Sequence, residues 1–340
     1  MQGKTRNVIL FVSLIVLLVL LSLLSILLGS VSIPLADVKA YFAGSAFTDE
    51  TNLAILRNFR MPKVVSAILA GSALAVSGLQ MQTVFRNPLA GPYVLGISSG
   101  ASLGVALVLM GSSAFGLSFW GSQIGIVVAA LIGSLLVLML ILSVAVRVRD
   151  IMTLLILGMM FGTAVSAITS LLQYFGSETS LKNFVIWTMG SLGGVGRQQL
   201  WLYAALVLAG LILAWIYVRP LNVLAIGDSY ARSLGFNVKR TRFLIFLSTS
   251  LLAGTATAFN GPIAFIGIAV PHLARMVFRT SNHAILVPAS ALAGAATLLL
   301  CDIIAQLPGS ATVLPLNSVA SLMGIPVVIY IILKNKRVVS

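Results

Sequence analysis

Very few side chains in this 340-residue sequence could do chemistry. The two histidines, His272 and His283, have no other His, Cys or Glu nearby at the spacing of metal ligands. The stretch Gly3-Lys4-Thr5 resembles the end of a nucleotide-binding loop but lacks the upstream glycine. The single cysteine, Cys301, lies in an apolar run, which is typical of a small buried hydrophobe. We therefore predict no metal site, no bound cofactor and no ATP hydrolysis by this chain itself.

One acidic residue, Asp302, falls within a long apolar run. A charge inside a membrane costs at least about 2.5 kcal/mol, so such a residue usually has a use. It could be a proton relay in an ion-coupled transporter or a hydrogen-bond acceptor near a helix end, and the second interpretation is favoured. Because no nucleophile and base are paired either, an intramembrane enzyme is not indicated, and the energy for transport is expected from another protein.

The composition indicates a membrane protein that crosses the bilayer many times. Hydrophobic residues make up 59% of the chain and charged residues only 8%, with a mean hydropathy of +1.10. A soluble domain has about 25% charged residues. Long apolar runs favour helices over a barrel, since each helix satisfies its own backbone hydrogen bonds. The predicted fold class is all-α, with one transmembrane domain over residues 1–340.

Windows of about 20 apolar residues predict ten spans. They lie near residues 8–28, 62–82, 93–110, 122–145, 151–173, 199–218, 242–259, 263–279, 285–305 and 317–333. The first is too long for a typical signal peptide and is expected to be retained. With both termini in the cytoplasm, 15 of the 21 Lys and Arg residues face inward and 6 outward. This bias also explains the net charge of +14 without a nucleic-acid partner.

A short internal similarity suggests two related halves, at about 1–175 and 176–340. The motif that starts at Gly91-Pro92 resembles the one at Gly261-Pro262, half a chain length further on. Two halves of five spans each must be inverted relative to one another, as in many transporters. In the predicted topology the first motif lies at the cytoplasmic end of span 2 and the second at the outer end of span 7.

The longest internal cytoplasmic segment, residues 219–241, predicts two short helices. They are residues 221–226 and a second piece with Asp228 as N-cap and Gly235 as its stop. Ala231 and Leu234 are three positions apart and would share one face. The segment could be a solvated connection, but two apolar-faced helices favour a docking surface for a cytosolic partner.

Three cations, Arg57, Arg60 and Lys63, precede span 2 on the predicted outer side. Their place on the outer side opposes the excess of Lys and Arg on the cytoplasmic side, so it needs an explanation. They could anchor the helix at lipid head groups, or they could meet acidic groups of a soluble partner. The sequence leaves both interpretations open.

Five segments together resemble the FecCD family of bacterial ABC-importer permeases. They are NPLAGPYVLGISSGASLG (87–104), WTMGSL (187–192), GDSYARSLG (227–235), FNGPIAFIGIAVPHLAR (259–275) and LPLNSVASLMGIPVVIYIILK (314–334). The resemblance runs in order over nearly the whole chain. It implies a type II importer fold with ten helices and a multi-pass location in the bacterial inner membrane.

The resemblance also implies partners and roles. The permease would pair with a second copy or a homologue, two cytosolic ATPases that bind ATP-Mg, and an extracytoplasmic substrate-binding protein. Asn87, Leu89, Ile151 and Met152 would form the cytoplasmic gate, and Arg60 and Lys63, beside Arg57, would dock the binding protein. The ATPase would meet Leu221, Ala225, Gly227, Asp228, Ala231, Leu234 and Gly235. Gln306 and Asn317 depart from the family pattern.

The predicted function is therefore the import of a large metal chelate, with an iron–siderophore first and haem or cobalamin next. The alternative is a secondary transporter of a small organic solute that is driven by an ion gradient. Such a protein would not need a coupling segment and would be expected to hold more carboxylates within its spans than Asp302.

Overall fold

The computed structural model describes residues 2–29, 31, 33–44, 49–115, 122–145, 148, 150–306 and 312–335. All regular elements in these ranges are helices, which confirms the predicted fold class. They are α1 (Gln2–Leu27), α2 (Leu35–Ala43), α3 (Glu50–Ile55), α4 (Met61–Val84), α5 (Ile97–Phe115), α6 (Gln123–Ala145), α7 (Ile151–Phe175), α8 (Glu178–Thr188), α9 (Arg197–Ile216), α10 (Val218–Ile226), α11 (Asp228–Ser233), α12 (Val238–Asn260), α13 (Ile266–Phe278), α14 (His283–Ala305) and α15 (Leu316–Asn335). A π-helical turn (Leu56–Arg60) precedes α4, and a 3₁₀ turn (Pro92–Leu95) precedes α5.

Ten of these helices correspond to the ten predicted spans. Seven are long and apolar enough to cross a membrane, and three further apolar helices, α5, α13 and α15, complete the ten. With 13 residues, α13 is only about 20 Å long and cannot cross a hydrocarbon core of about 30 Å by itself. The short helices α2, α3 and α8 were not predicted, because they are too short to give an apolar window of membrane length.

The helix contacts define the two ends of the bundle. Helix α4 runs antiparallel to α14, with Thr83 beside His283 at one end and Lys63 beside Asp302 at the other. Because Ser25 reaches Asp302, α1 ends where α14 ends. Helix α15 starts there too, since the Leu314 amide bonds to the carbonyl of the last residue of α14. The start of α1 and the end of α15 therefore lie at the opposite end of the bundle, where Asn222 of α10 contacts His283 at the start of α14.

We call this the α10–α11 end and the opposite one the α2–α3 end. In the predicted topology they are the cytoplasmic and outer ends, respectively. Among the cations that support this orientation, Arg147, Arg149, Lys336 and Arg337 lie outside the described residues.

Helix α4 lies at the centre of the bundle and packs against α12, α13 and α14. Small residues make these crossings close. A Cβ atom added at Gly71 would overlap the carbonyl of Gly294, and one added at Gly78 would overlap Gly267. An added Cβ at Gly100 or Gly104 would likewise overlap a backbone carbonyl of α6, so α5 and α6 also cross closely. Since α12 to α14 come from the second half, the two halves are interlocked.

The two Gly-Pro motifs meet inside the bundle. The Tyr93 hydroxyl donates to the Ile263 carbonyl at 2.9 Å and accepts from the Ile263 amide at 3.3 Å. Gly267 lies against Pro92 and also against α4. The predicted placement, with the first motif at the cytoplasmic end of span 2 and the second at the outer end of span 7, is therefore wrong, because Tyr93 of the first contacts Ile263 of the second. Each motif precedes a helix, α5 or α13, that begins inside the bundle.

Candidate functional site

Helices α10 and α11 have an inward and an outward face. Pro220 lies in the first turn of α10, where a missing amide is tolerated, so this helix begins at Val218 rather than at Leu221 as predicted. Leu221, Leu224 and Ala231 are buried in a cluster with Phe85 and Phe246.

The outward face carries Ile226, Tyr230 and Leu234, which are 67%, 46% and 52% exposed. The prediction that Ala231 and Leu234 share one docking face is therefore wrong. Ala231 is needed to seat α11 on the bundle, whereas Leu234 points away from it. Ala225 is also exposed, as is Gly235, whose positive φ of 81° ends the α11 turn as predicted.

Asp228 connects α11 to two other elements. Gly227 is the N-cap of α11, so Asp228 is not the N-cap that the sequence predicted. Its Oδ1 atom lies 2.8 Å from Nη2 of Arg86, and its Oδ2 atom lies 2.5 Å from Nη2 of Arg242. The Nε of Arg86 also donates to the Leu224 carbonyl of α10 at 3.3 Å.

A second polar network joins α10 to the ends of α4 and α14. The Asn222 Oδ1 atom accepts from the His283 amide at 2.8 Å and lies 2.7 Å from its Nδ1, while Nε2 lies 2.7 Å from the Thr83 hydroxyl. Beside it, Arg275 donates to Gln82 at 2.9 Å. His283 thus has hydrogen-bonding partners, and the described residues contain no cluster of three or more metal-ligand side chains.

The predicted gate residues come from two different elements at the α10–α11 end. Asn87 and Leu89 lie in the turn after α4, where the Leu89 amide donates to Asn87 Oδ1 at 2.9 Å. Ile151 and Met152 begin α7, whose N-cap is Asp150. Hydrogen bonds from the hydroxyl and amide of Thr153 hold the pKa of this exposed carboxyl below its usual value.

A cavity of about 400 Å³ separates the start of α7 from the α11–α12 connection. Leu89 is 38% and Met152 46% exposed, so both have free surface at this end. The common role of the two pairs as a gate stays a prediction.

At the α2–α3 end, the predicted docking cations differ in exposure. Arg60 is 7% exposed, and its guanidinium donates to the carbonyls of Leu28 and Val31 and, at 3.2 Å, to Gln306 Oε1. Lys63 pairs with Asp302 at 2.9 Å, and its side chain is 18% exposed. The chain itself thus satisfies Arg60 and neutralises Lys63, and the docking role implied for both stays a prediction. Arg57 is exposed.

Asp302 lies in the last turn of α14 and accepts from Gln306 at 2.7 Å and from Ser25 at 3.4 Å. The interpretation as a helix-end acceptor is confirmed, although its ion pair with Lys63 was not predicted. A cavity of about 510 Å³ is lined by Asp302, Gln306, Lys63 and Phe59 among others. Asn317, the other departure from the family pattern, accepts from the Ala264 amide at 2.9 Å and so holds the chain before α13.

Helix α7 carries most of its surface on the outside of the bundle. Met160, Leu171 and Phe175 are more than 60% exposed. Next to it, a groove of about 230 Å³ between α5, α7 and α8 is lined largely by hydroxyl groups, which include Ser99, Ser166 and Ser170 on its walls. An apolar flank beside a polar groove suits a contact between subunits along a path for a polar solute.

Sequence reasoning missed Arg86 and Asn222, and it considered His283 only as a possible metal ligand. Arg86 directly precedes the predicted gate residue Asn87. Its place just after the end of span 2 is the one feature of the sequence that could have drawn attention to it. Its partners are 138 and 142 residues away in the chain, however, so no local pattern could reveal them.

The fold and these surfaces define an all-helical, multi-pass membrane permease of the ABC-importer class. The chain belongs to the FecCD transport family, whose sequence model matches residues 17–334. It is 38% identical over 281 residues to the vitamin B12 import system permease protein BtuC of Salmonella typhi, covering 82% of this chain and 83% of that protein. The same protein of Escherichia coli O9:H4 (strain HS) is 37% identical over 297 residues, with coverages of 86% and 88%.

A solved structure gives the same fold. It is described as an inward-facing conformation of a metal-chelate type ABC transporter and superposes with a TM-score of 0.83. The two chains are 29% identical, and the superposition covers 96% of this chain and 99% of that one. The comparison confirms the predicted importer-permease fold.

Proposed function

We propose that this chain is the permease subunit of an ATP-driven importer that moves a large metal chelate into the cytoplasm, with cobalamin as the first candidate. The observation that carries this proposal is the two-faced α10–α11 pair. Its inner face is fixed to the bundle, and its outer face leaves the side chains of Ile226, Tyr230 and Leu234 exposed. An apolar face at this place suits a cytosolic ATPase, which would supply the energy that Asp302 does not.

The remaining surfaces fit the other partners of such an importer. The exposed flank of α7 would face a second permease, and the hydroxyl-lined groove beside it would line the path. Asn87, Leu89, Ile151 and Met152 would close that path at the cytoplasmic end. Outside the cell, Arg57 would be the accessible cation for an acidic binding protein, while Arg60 and Lys63 would shape the surface beside it. Both chain termini would lie in the cytoplasm of a bacterium.

Cobalamin is placed ahead of the iron–siderophores expected from the sequence because the similar permeases are named for vitamin B12 import. The likeness to a metal-chelate type transporter supports the wider class. A cobalamin and a ferric siderophore are both large, polar metal chelates, so a groove lined by hydroxyl groups suits the polar surface of either.

The test is reconstitution into proteoliposomes with an ATPase and a binding protein encoded in the same genome. We expect radiolabelled cyanocobalamin to accumulate only when ATP is supplied to the ATPase side. Ferric siderophore and haem are measured in parallel, and faster uptake of either would replace cobalamin as the substrate. Uptake driven by a proton or sodium gradient without the ATPase would overturn the importer proposal in favour of a secondary transporter.

A further inference from the structure

Arg86 has a backbone conformation that its residue type does not favour. Its φ is +46°, in the left-handed region that glycine occupies most easily, at the place where α4 ends. A side chain in this region costs roughly 1 kcal/mol relative to an ordinary conformation. A glycine would end the helix without that cost, so the side chain of Arg86 is expected to have a use.

That side chain reaches both short helices at once. Its Nε donates to the Leu224 carbonyl of α10, and its Nη2 pairs with Asp228 of α11. The planar guanidinium fork can hold two acceptors in a fixed geometry, which a lysine cannot do. The backbone of the same residue leads directly into Asn87, whose carbonyl and side chain accept the amides of Ala90 and Leu89.

Further contacts from α12 and α14 hold Asp228 and α10 in place. Arg242 of α12 holds the second oxygen of Asp228, and Asn222 ties α10 through His283 to Thr83 in the last turns of α4. The α10–α11 pair, the end of α4 and the turn after it thus form one connected unit. A displacement of the short helices must be transmitted to Asn87 and Leu89 unless these bonds break.

We propose that Arg86 is the positioning residue that transmits movement of the α10–α11 pair to the gate turn at Asn87 and Leu89. The proposal rests on the proposed function, in which an ATPase moves this pair. Removing Arg86 should leave the permease folded, because Asp228 keeps Arg242 as its counter-charge and no buried ion is stranded. The substitution should therefore uncouple ATP hydrolysis from movement of the gate turn.

The first experiment uses the purified permease in nanodiscs and measures hydrogen exchange of the amides of residues 85–91. Arg86→Gln should speed exchange in this segment about 3- to 30-fold, the range expected when a coupling contact is lost. Arg86→Lys should lie between Arg86→Gln and the native protein, because it keeps the charge but not the fork. Arg240→Gln removes a charge from an exposed site in the first turn of α12 and should have no effect.

The second experiment measures cyanocobalamin uptake per ATP hydrolysed in the reconstituted importer. Arg86→Gln should lower this ratio by the same factor while ATP hydrolysis continues, and Arg240→Gln should leave it unchanged. Unaltered exchange in residues 85–91, or an unaltered ratio, would overturn the proposal. If the native complex shows no ATP-driven uptake of any chelate, the importer assignment fails instead, and the exchange measurement still decides whether Arg86 holds the turn.

Discussion

Single residues at the α2–α3 end show how a membrane protein retains charge at little cost. Lys63 and Asp302 neutralise each other, and Gln306 bridges Asp302 and Arg60. The two partners are unequal, since the Asp302 side chain is 5% exposed and that of Lys63 18%. Removing one partner of a buried pair costs most when the remaining charge is the more deeply buried one.

This difference in exposure predicts which of two substitutions destabilises the protein more. Lys63→Met should lower the free energy of unfolding by about 3 kcal/mol, because it leaves the deeply buried Asp302 unpaired. Asp302→Asn should cost about 1 kcal/mol, since Lys63 can turn toward water and the amide keeps a hydrogen bond. Titration with SDS in mixed micelles measures both, with the exposed Lys182→Met as control. A larger loss for Asp302→Asn would contradict the assignment of Lys63 as the counter-charge of Asp302.

At the scale of elements, α11 is a six-residue helix whose two faces serve different purposes. Ala231 is buried against the bundle, and Leu234 is half exposed. Helix α11 is too short to be stable alone, so its position depends on the Asp228 ion pairs and on the packing of Ala231. Contacts within the chain thus fix the position of the outward residues before a partner binds.

Leu234→Arg should leave the permease folded and weaken its binding to the ATPase about tenfold, as expected when one anchoring side chain is lost. Co-purification and a binding titration in detergent would measure this. Ser233→Arg adds the same charge one residue away, where no apolar contact is lost, and should bind as the native protein does. Ala231→Arg should instead prevent folding, and normal ATP-driven uptake by Leu234→Arg would refute the coupling role.

On the scale of the whole molecule, the halves are interlocked through α4. This helix of the first half crosses α14 and α13 of the second half at Gly71 and Gly78. The Tyr93 hydroxyl joins the two Gly-Pro motifs beside these crossings. Because no water competes between the helices, close contact of small residues is a main source of their association.

A methyl group at the main crossing should therefore loosen the whole bundle. Gly71→Ala improves helix propensity by about 1 kcal/mol. It also forces α4 and α14 apart, at a cost of up to about 3 kcal/mol. We expect a net loss of about 2 kcal/mol in SDS titration. Gly194→Ala, where an added Cβ meets nothing within 4 Å, is the matched control and should not destabilise the protein.

The sequence by itself determined the class of fold and the ten apolar segments, because the length and hydropathy of a membrane helix are local properties. It also located the two short helices before α12 and the similarity of the Gly-Pro motifs. The motifs led to the FecCD family, which the comparisons then confirmed.

Only the tertiary structure decided which side chains are free and which are paired. Local spacing predicted Ala231 as part of a docking face, and the family resemblance implied Arg60 and Lys63 as docking cations. The bundle buries Ala231 and Arg60 and pairs Lys63 with Asp302. In the same way Arg86 meets Asp228 only because α4 ends beside α10 and α11. Such pairs join residues more than 100 positions apart, and their energy depends on burial, which a sequence pattern does not contain.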